Sequence, residues 1–225
     1  AIKVLAPYGE KKGLLEGPIT LSEEELTKKA KDYDFNKVVK ECNEIEDTIS
    51  KAKNELNFLK NERETYTPWK NLPVSLENVK GTTRVKTAIG TLKVAAYSEA
   101  EKAIQNINSL ISIESIHKDE KSVYVVIIFD ATLEKQVRQL LSEYKFTEVE
   151  LPAKTGLLKD YLHEVKEKIQ TNEHIIKEEE KKLKHLAKEL DNLKIAHDYT
   201  GWQKDKAEAK RKLGSTEYSF IIDAW

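Results

Sequence analysis

Two stretches of this chain place apolar residues at alternating steps of four and three, the 3.5-residue repeat of a helix that buries one seam. The first is Val38, Cys42, Ile45, Ile49, Ala52, Leu56 and Leu59. The second is Leu158, Leu162, Val165, Ile169, Asn172, Ile176, Glu179, Leu183, Leu186, Leu190, Leu193 and His197, where nine of twelve positions over 40 residues are aliphatic. At its usual rise per residue such a helix runs for about 60 Å. It is a rod.

Boundary signals frame both segments. Asp34 is placed to cap the first helix, and Tyr66-Thr67-Pro68 ends it, because the residue before a proline is biased away from helix. Gly214 is placed to close the second, and Lys206, Lys210, Arg211 and Lys212 crowd the turns before it, where cations suit the helix dipole. Residues 35–66 and 157–213 are therefore expected to form an antiparallel helical rod with a domain inserted at its tip. Setting Leu59 beside Leu158 brings Ile49 near Ile169 and Val38 near Glu179. The first helix then runs out, and the second needs another partner from Leu183 onward. The Leu21 to Leu26 stretch offers one, since Ser22 and Glu25 have capping-box spacing. A short helix over residues 22–31 is expected to extend the bundle.

The segment between the seams, residues 67–156, alternates strand and helix patterns. A strand over 84–89 leads to a helix opened by a Ser98 and Glu101 capping box, with Ala103, Ile104 and Ile107 on its apolar face. Strands follow over 110–116 and 122–129, separated by the polar turn His117 to Lys121. A second helix over 132–144 carries Leu133, Val137, Leu140 and Leu141, and 146–151 reads as the last strand. The order β-α-β-β-α-β is the ferredoxin-like plan, a four-stranded antiparallel sheet with both helices on one face. The class is α+β: a long antiparallel coiled-coil hairpin with a ferredoxin-like distal lobe at its tip. Residues 1–34 and 214–225 make a partial α/β proximal lobe at the chain ends. Ala1 to Leu5 reads equally as a strand or as a helix stopped by Pro7. The closing Phe220-Ile221-Ile222-Asp223-Ala224-Trp225 reads as a strand. Two such short pieces are expected to be part of something longer.

Composition excludes several classes. With 38 basic and 39 acidic residues the net charge is -1, so no global field gathers nucleic acid or anionic membrane. Cys42 is the single cysteine, which rules out an intrachain disulfide or a Cys-cluster zinc site and suits a reducing compartment. The longest apolar run, Val123 to Phe129, has seven residues against the roughly 20 that span a bilayer. No secretory leader pattern opens the chain.

Catalytic and ligand-binding signatures are absent in kind. Gly13-Leu14-Leu15-Glu16-Gly17 lacks the lysine and the preceding strand of a phosphate-binding loop. His163, His174 and His185 recur every eleven residues, about 16 Å apart on a helix, too far for one ion to bridge, and they fall on outward positions. His197, in the seam, reads as a packed histidine. Cys42 occupies a seam position where a thiol acts as a small apolar group. Asn172 and Glu179 interrupt the seam and are read as fixing register or as marking where a further element packs on the rod, with register the favoured reading. Lys121 to Phe129 lacks the glycine and outward aromatics of an RNA-binding strand. Trp69, beside Pro68, reads as a cap over the bundle end. No metal, cofactor or small-molecule site is expected.

Several short stretches, in their order around the two seams, resemble the soluble N-terminal region of subunit I of the V/A-type rotary ATPases, the relative of eukaryotic subunit a. Pro68-Trp69-Lys70-Asn71-Leu72 resembles the family's Pro-Trp-x-x-Leu. Tyr144 to Val149 followed by Leu151-Pro152 resembles the close of its distal lobe, and Thr216 to Trp225 resembles its strand ending in Gly-Trp. Ala224 stands where the family usually has Gly, and the family's opening strand-helix-strand does not precede Ala1. The resemblance implies a non-catalytic stator on the cytoplasmic face. Its lobes would bind peripheral stalks built as E and G heterodimers. It would also meet its own C-terminal membrane domain, the rotor ring and, as a further candidate, the central-stalk foot subunit. A ferredoxin-like nucleic-acid module on a coiled-coil stem is the alternative; a metabolite-sensing ferredoxin-like domain is a third reading.

Overall fold

The computed structural model describes residues 1–9, 20–79, 81–212, 214–215 and 220–221. In chain order these form α1 (Ile2–Leu5), α2 (Glu23–Asp32), α3 (Phe35–Tyr66), β1 (Val85–Lys93), α4 (Val94–Ile107), β2 (Ser112–Lys118) and β3 (Ser122–Asp130). They continue with α5 (Glu134–Glu143), β4 (Thr147–Glu148), α6 (Leu158–Leu186), α7 (Leu190–Lys212), β5 (Gly214–Ser215) and β6 (Phe220–Ile221). Among the described residues no helix is long and apolar enough to cross a membrane. The chain divides into two compact units, residues 55–172 and residues 1–54 with 173–225.

In the unit 55–172 the sheet order is β2-β3-β1-β4, with every pairing antiparallel. Side chains alternate across a strand, so the apolar run of β3 serves two layers at once. Val123, Val125, Ile127 and Phe129 join Ala88 and Leu92 of β1 against Ala100 and Ile104 of α4 and Val137 and Leu141 of α5. Val126 and Ile89, on the other face, pack against Trp69, Leu72, Leu76 and Leu158. Both faces of the sheet are covered.

Three expectations for this unit give way. Ser98 and Glu101 do not open α4. The helix starts at Val94 without a side-chain cap. The Val94 N–H donates instead to the Lys121 carbonyl at 3.1 Å, so the turn before β3 supplies the acceptor. Glu101 accepts from the Tyr97 hydroxyl one turn back at 2.8 Å. The strand expected over 84–89 runs on to Lys93, paired with β3 as far as Lys93 opposite Ser122. The last strand is only two residues long, Thr147 and Glu148 pairing with β1, and the Val149 N–H adds one further bond to the Ile89 carbonyl at 2.8 Å. Gly90 makes that pairing possible, because a Cβ there would lie 2.2 Å from the Thr147 carbonyl and 2.4 Å from the Phe146 ring.

In the unit of residues 1–54 and 173–225, Ser22 caps α2 by accepting from the Glu25 N–H, while the Glu25 carboxylate accepts from the Ser22 N–H at 3.0 Å. Asp34 accepts from the Lys37 N–H at 3.3 Å at the start of α3. Leu5, Cys42, Ile45, Ile49, Leu183, Leu186 and Leu193 form one buried cluster. Leu183 and Leu186 are partnered by α3 and α1, and α2 lies along α7, the later part of the stretch it was expected to partner. The second helix is not continuous over 157–213. It breaks into a 3-10 turn at Ala187–Glu189. Three residues at 120° each in place of about 100° rotate the face of α7 by roughly 60°. Leu193 and Ala196 then turn inward and His197 turns out, its side chain 74% exposed beside Asp198 at 3.3 Å. The packed histidine expected at 197 is therefore a surface residue. Gly13 to Gly17 and Thr216 to Ser219 lie outside the described residues; Gly214 stands in β5.

Candidate functional site

Seam residues meet within each unit, though not in the register set by Leu59 beside Leu158. In the unit 55–172, Leu59 packs with Val165 and Ile169, flanked by Leu56 and Tyr161. Leu158 belongs to the cluster around Trp69, with Leu162 beside it. The contact is about two to three turns further along α6 because Trp69, Leu72 and Leu76 take Leu158 for the sheet face. Tyr161 donates to Glu62 Oε2 at 2.8 Å, and its ring meets Tyr66 edge-on at 6.3 Å. Burial, together with that bond to a carboxylate, pushes the Tyr161 hydroxyl well above its ordinary range. Asn172 does not bond across the seam; its side-chain N–H donates to the Lys168 carbonyl of its own helix at 3.0 Å. A polar group that can satisfy itself locally fixes no register.

In the other unit Glu179 lies near Ile45 and Thr48, not near Val38, and holds Lys182 at 2.6 Å. Val38, Ile176 and Leu190 are half-buried; Cys42, Ile45, Ile49, Ala52 and Leu193 are buried. Burial pushes the Cys42 thiol up, and its Sγ sits 4.0 Å from the Ala1 carbonyl. It lacks the features of a nucleophile: no exposed face and no depressed titration. His163, His174 and His185 are exposed. Among the described residues no group of three His, Cys, Asp or Glu side chains could hold a metal ion. An open groove on this unit is lined by Ile2, Phe35, Val39, Leu193 and Ala196, with Lys3 and His197 also bordering it. Sequence reading missed this groove, because its walls come from α1, α3 and α7 and no local periodicity links them.

Tyr33, at the C-terminal end of α2, carries a buried hydroxyl. It faces Glu189, and burial with that neighbouring charge raises it to about 12. The Glu189 carboxylate is engaged by the Asn192 amide at 2.9 Å.

Trp69 is 1% exposed and stands edge-on to Tyr124 at 5.2 Å. It therefore caps the helix pair of its unit and covers the sheet face on which an RNA-binding domain of this topology would stack bases.

Both units are built on packed helices, and the unit 55–172 also carries a four-stranded antiparallel sheet covered on both faces, which makes the chain an α+β protein. No family model matches the chain, and no curated protein matches it. Among solved structures it is similar in fold to the cytoplasmic N-terminal domain of subunit I, homolog of subunit a, of V-ATPase. The two share 14% identity at a TM-score of 0.51, over 91% of this chain and 67% of that one.

Proposed function

We propose that this chain is a non-catalytic stator component of a V/A-type rotary ATPase that translocates protons or sodium ions. The observation that carries the reading is the fold likeness across 91% of the chain to the subunit I domain. In this reading the chain links peripheral-stalk E and G heterodimers to a membrane domain and resists rotor torque, while ATP is handled by other subunits. Paired helices with apolar seams bend less readily than a flexible linker. Each buried Leu or Ile contributes roughly 1.5–3 kcal/mol gross, much of it offset by ordering.

Residues 67–156, within the unit 55–172, serve as the distal, ferredoxin-like lobe. Support comes from the strand order β2-β3-β1-β4 and from α4 and α5 packing on one face. The nucleic-acid alternative loses its surface, since Trp69, Leu72 and Leu76 fill the second face.

Co-migration of the chain with purified E and G heterodimer on gel filtration tests the reading. The wild type is expected to bind, and Val137→Asp, which places a charge at a fully buried position, is expected to abolish binding by unfolding the lobe. No co-migration of the wild type, or unchanged co-migration of the variant, would overturn a dock on this lobe. Filter binding of nucleic acid at low salt is expected to give no salt-sensitive affinity.

A further inference from the structure

The run Lys177-Glu178-Glu179-Glu180-Lys181-Lys182 is electrically neutral as a sequence, and the helix sorts it by sign. It lies in the part of α6 that belongs to the unit of residues 1–54 and 173–225, where Leu183 and Leu186 mark the buried side. At about 100° per residue the three glutamates fall toward the flanks, and all three are half-buried. Glu179 holds Lys182 at 2.6 Å beside Ile45 and Thr48 of α3, Glu180 lies toward Tyr8, and Glu178 holds Lys181 at 2.7 Å.

Every fully exposed residue from His174 to Lys188 is basic. His174, Lys177, Lys181, Lys184, His185 and Lys188 share one arc of about 100°, opposite the buried side and about 21 Å long. The first half of α6 is different, since its exposed Lys159, Asp160, Glu164, Lys166 and Glu167 mix the two signs. The four lysines of the arc follow one another at steps of four, three and four, the spacing of a helix seam turned outward. Like charges one turn apart, as at Lys177 and Lys181 or Lys184 and Lys188, weaken a helix that mixed signs would support. Glu178 relieves only Lys181; Lys177, Lys184 and Lys188 are in no ion pair among the described residues. The exposed residues of this stretch include no apolar side chain to enter a lipid layer, and no aromatic ring or arginine to stack on or clamp a nucleic acid. A helix with carboxylates at the same steps matches both the sign and the period.

We propose that the outer face of α6 from His174 to Lys188 is a docking surface for an α-helix of another polypeptide that carries Asp or Glu at alternating steps of three and four. The two helices lie side by side, with each carboxylate between successive lysines. The inference does not rest on the stator reading.

Fluorescence anisotropy on the full chain tests this. The probe is a labelled alanine-rich helical peptide with glutamates at alternating steps of three and four; a control peptide has the same composition with its glutamates spread round the helix. The striped peptide is expected to bind about tenfold more tightly than the control and to weaken as salt is raised. Lys177→Gln with Lys184→Gln alters only exposed side chains and keeps good helix formers, so the protein folds. It is expected to weaken the striped peptide about tenfold, while Lys166→Gln with Lys168→Gln, an equal change of charge, leaves its affinity as in wild type. Equal affinity for the two peptides, no binding, or equal loss in the two double variants overturns the proposal. So does tighter binding, through Lys177 and Lys184, of phosphatidylserine vesicles or single-stranded DNA than of the striped peptide.

Discussion

Tyr161 on α6 donates its hydroxyl proton to Glu62 on α3 at 2.8 Å, closing a contact between residues 99 positions apart. Neither residue lies in a seam. The bond fixes the rotation of two helices whose apolar stripes alone would let them roll. Tyr161→Phe keeps the ring against Tyr66 and removes the hydroxyl, so it is expected to cost about 1–2 kcal/mol, the range for a hydrogen bond to a charged group that is partly solvated. Urea denaturation followed by circular dichroism measures it. A midpoint equal to wild type would mean that the bond adds nothing net.

Gly90→Ala and Gly201→Ala should have opposite signs. A Cβ at Gly90 meets the Thr147 carbonyl at 2.2 Å and the Phe146 ring at 2.4 Å, whereas at Gly201 it meets nothing within 4 Å. Overpacking at Gly90 is expected to destabilise by about 1–3 kcal/mol or to strip β4 from the sheet. Gly201 lies within α7, so alanine there is expected to stabilise by about 0.5–1 kcal/mol. Thermal melts of the two single variants decide it.

Trp69→Ala removes a side chain buried against Leu72, Leu76, Ile89, Val126 and Leu158. The expected loss is about 3–5 kcal/mol. It should also leave the sheet's second face open to solvent, which binding of a hydrophobic dye reports. Loss of stability without dye binding would show that the face recloses.

Alkaline pH should unfold the protein through its tyrosines. Tyr33 and Tyr97 are raised to about 12 by burial and by Glu189 and Glu101 respectively, from an ordinary value of 10.0. Groups held protonated in the fold contribute stability that is fully present below pH 10 and lost as pH climbs toward 12. Phenolate absorbance should therefore rise cooperatively with the loss of ellipticity; gradual ionisation at the ordinary value, with the helices intact, would contradict this.

Acid acts on the turn between β2 and β3. The Asp119 carboxylate accepts from the Lys121 and Ser122 N–H groups at 2.8 and 2.7 Å and from the Tyr124 hydroxyl at 3.0 Å, and the two backbone bonds chiefly hold it below its ordinary value. Its contribution is present above the unfolded aspartate value, about 3.9, and is lost as pH falls through the depressed native one. Amide exchange at Lys121 and Ser122 should speed up in that window, and Asp119→Asn should shift the onset.

The positions of the long helices were legible because a 3.5-residue stripe, the Ser22 cap and Asp34 are local signals that need no partner to be read. Register was not legible, for a reason in the same periodicity. Sliding one stripe past the other by a turn or two sets apolar residues on apolar residues again, so Leu59 beside Leu158 and Leu59 beside Val165 satisfy the pattern alike. Trp69 decided between them by taking Leu158 for the sheet face. The apolar run of β3 announced a strand with two buried faces, yet Trp69, Leu72 and Leu76 as the cover of the second face came from outside the β-α-β-β-α-β pattern.

Sequence by itself determined where the long helices and the central strand β3 lie, since these follow from the spacing and identity of neighbouring residues. Tertiary structure alone decided the helix register, the break at Ala187–Glu189 and the exposure of His197. Each of these depends on which distant side chain claims a buried position first, and a residue's neighbours in sequence carry no record of that competition.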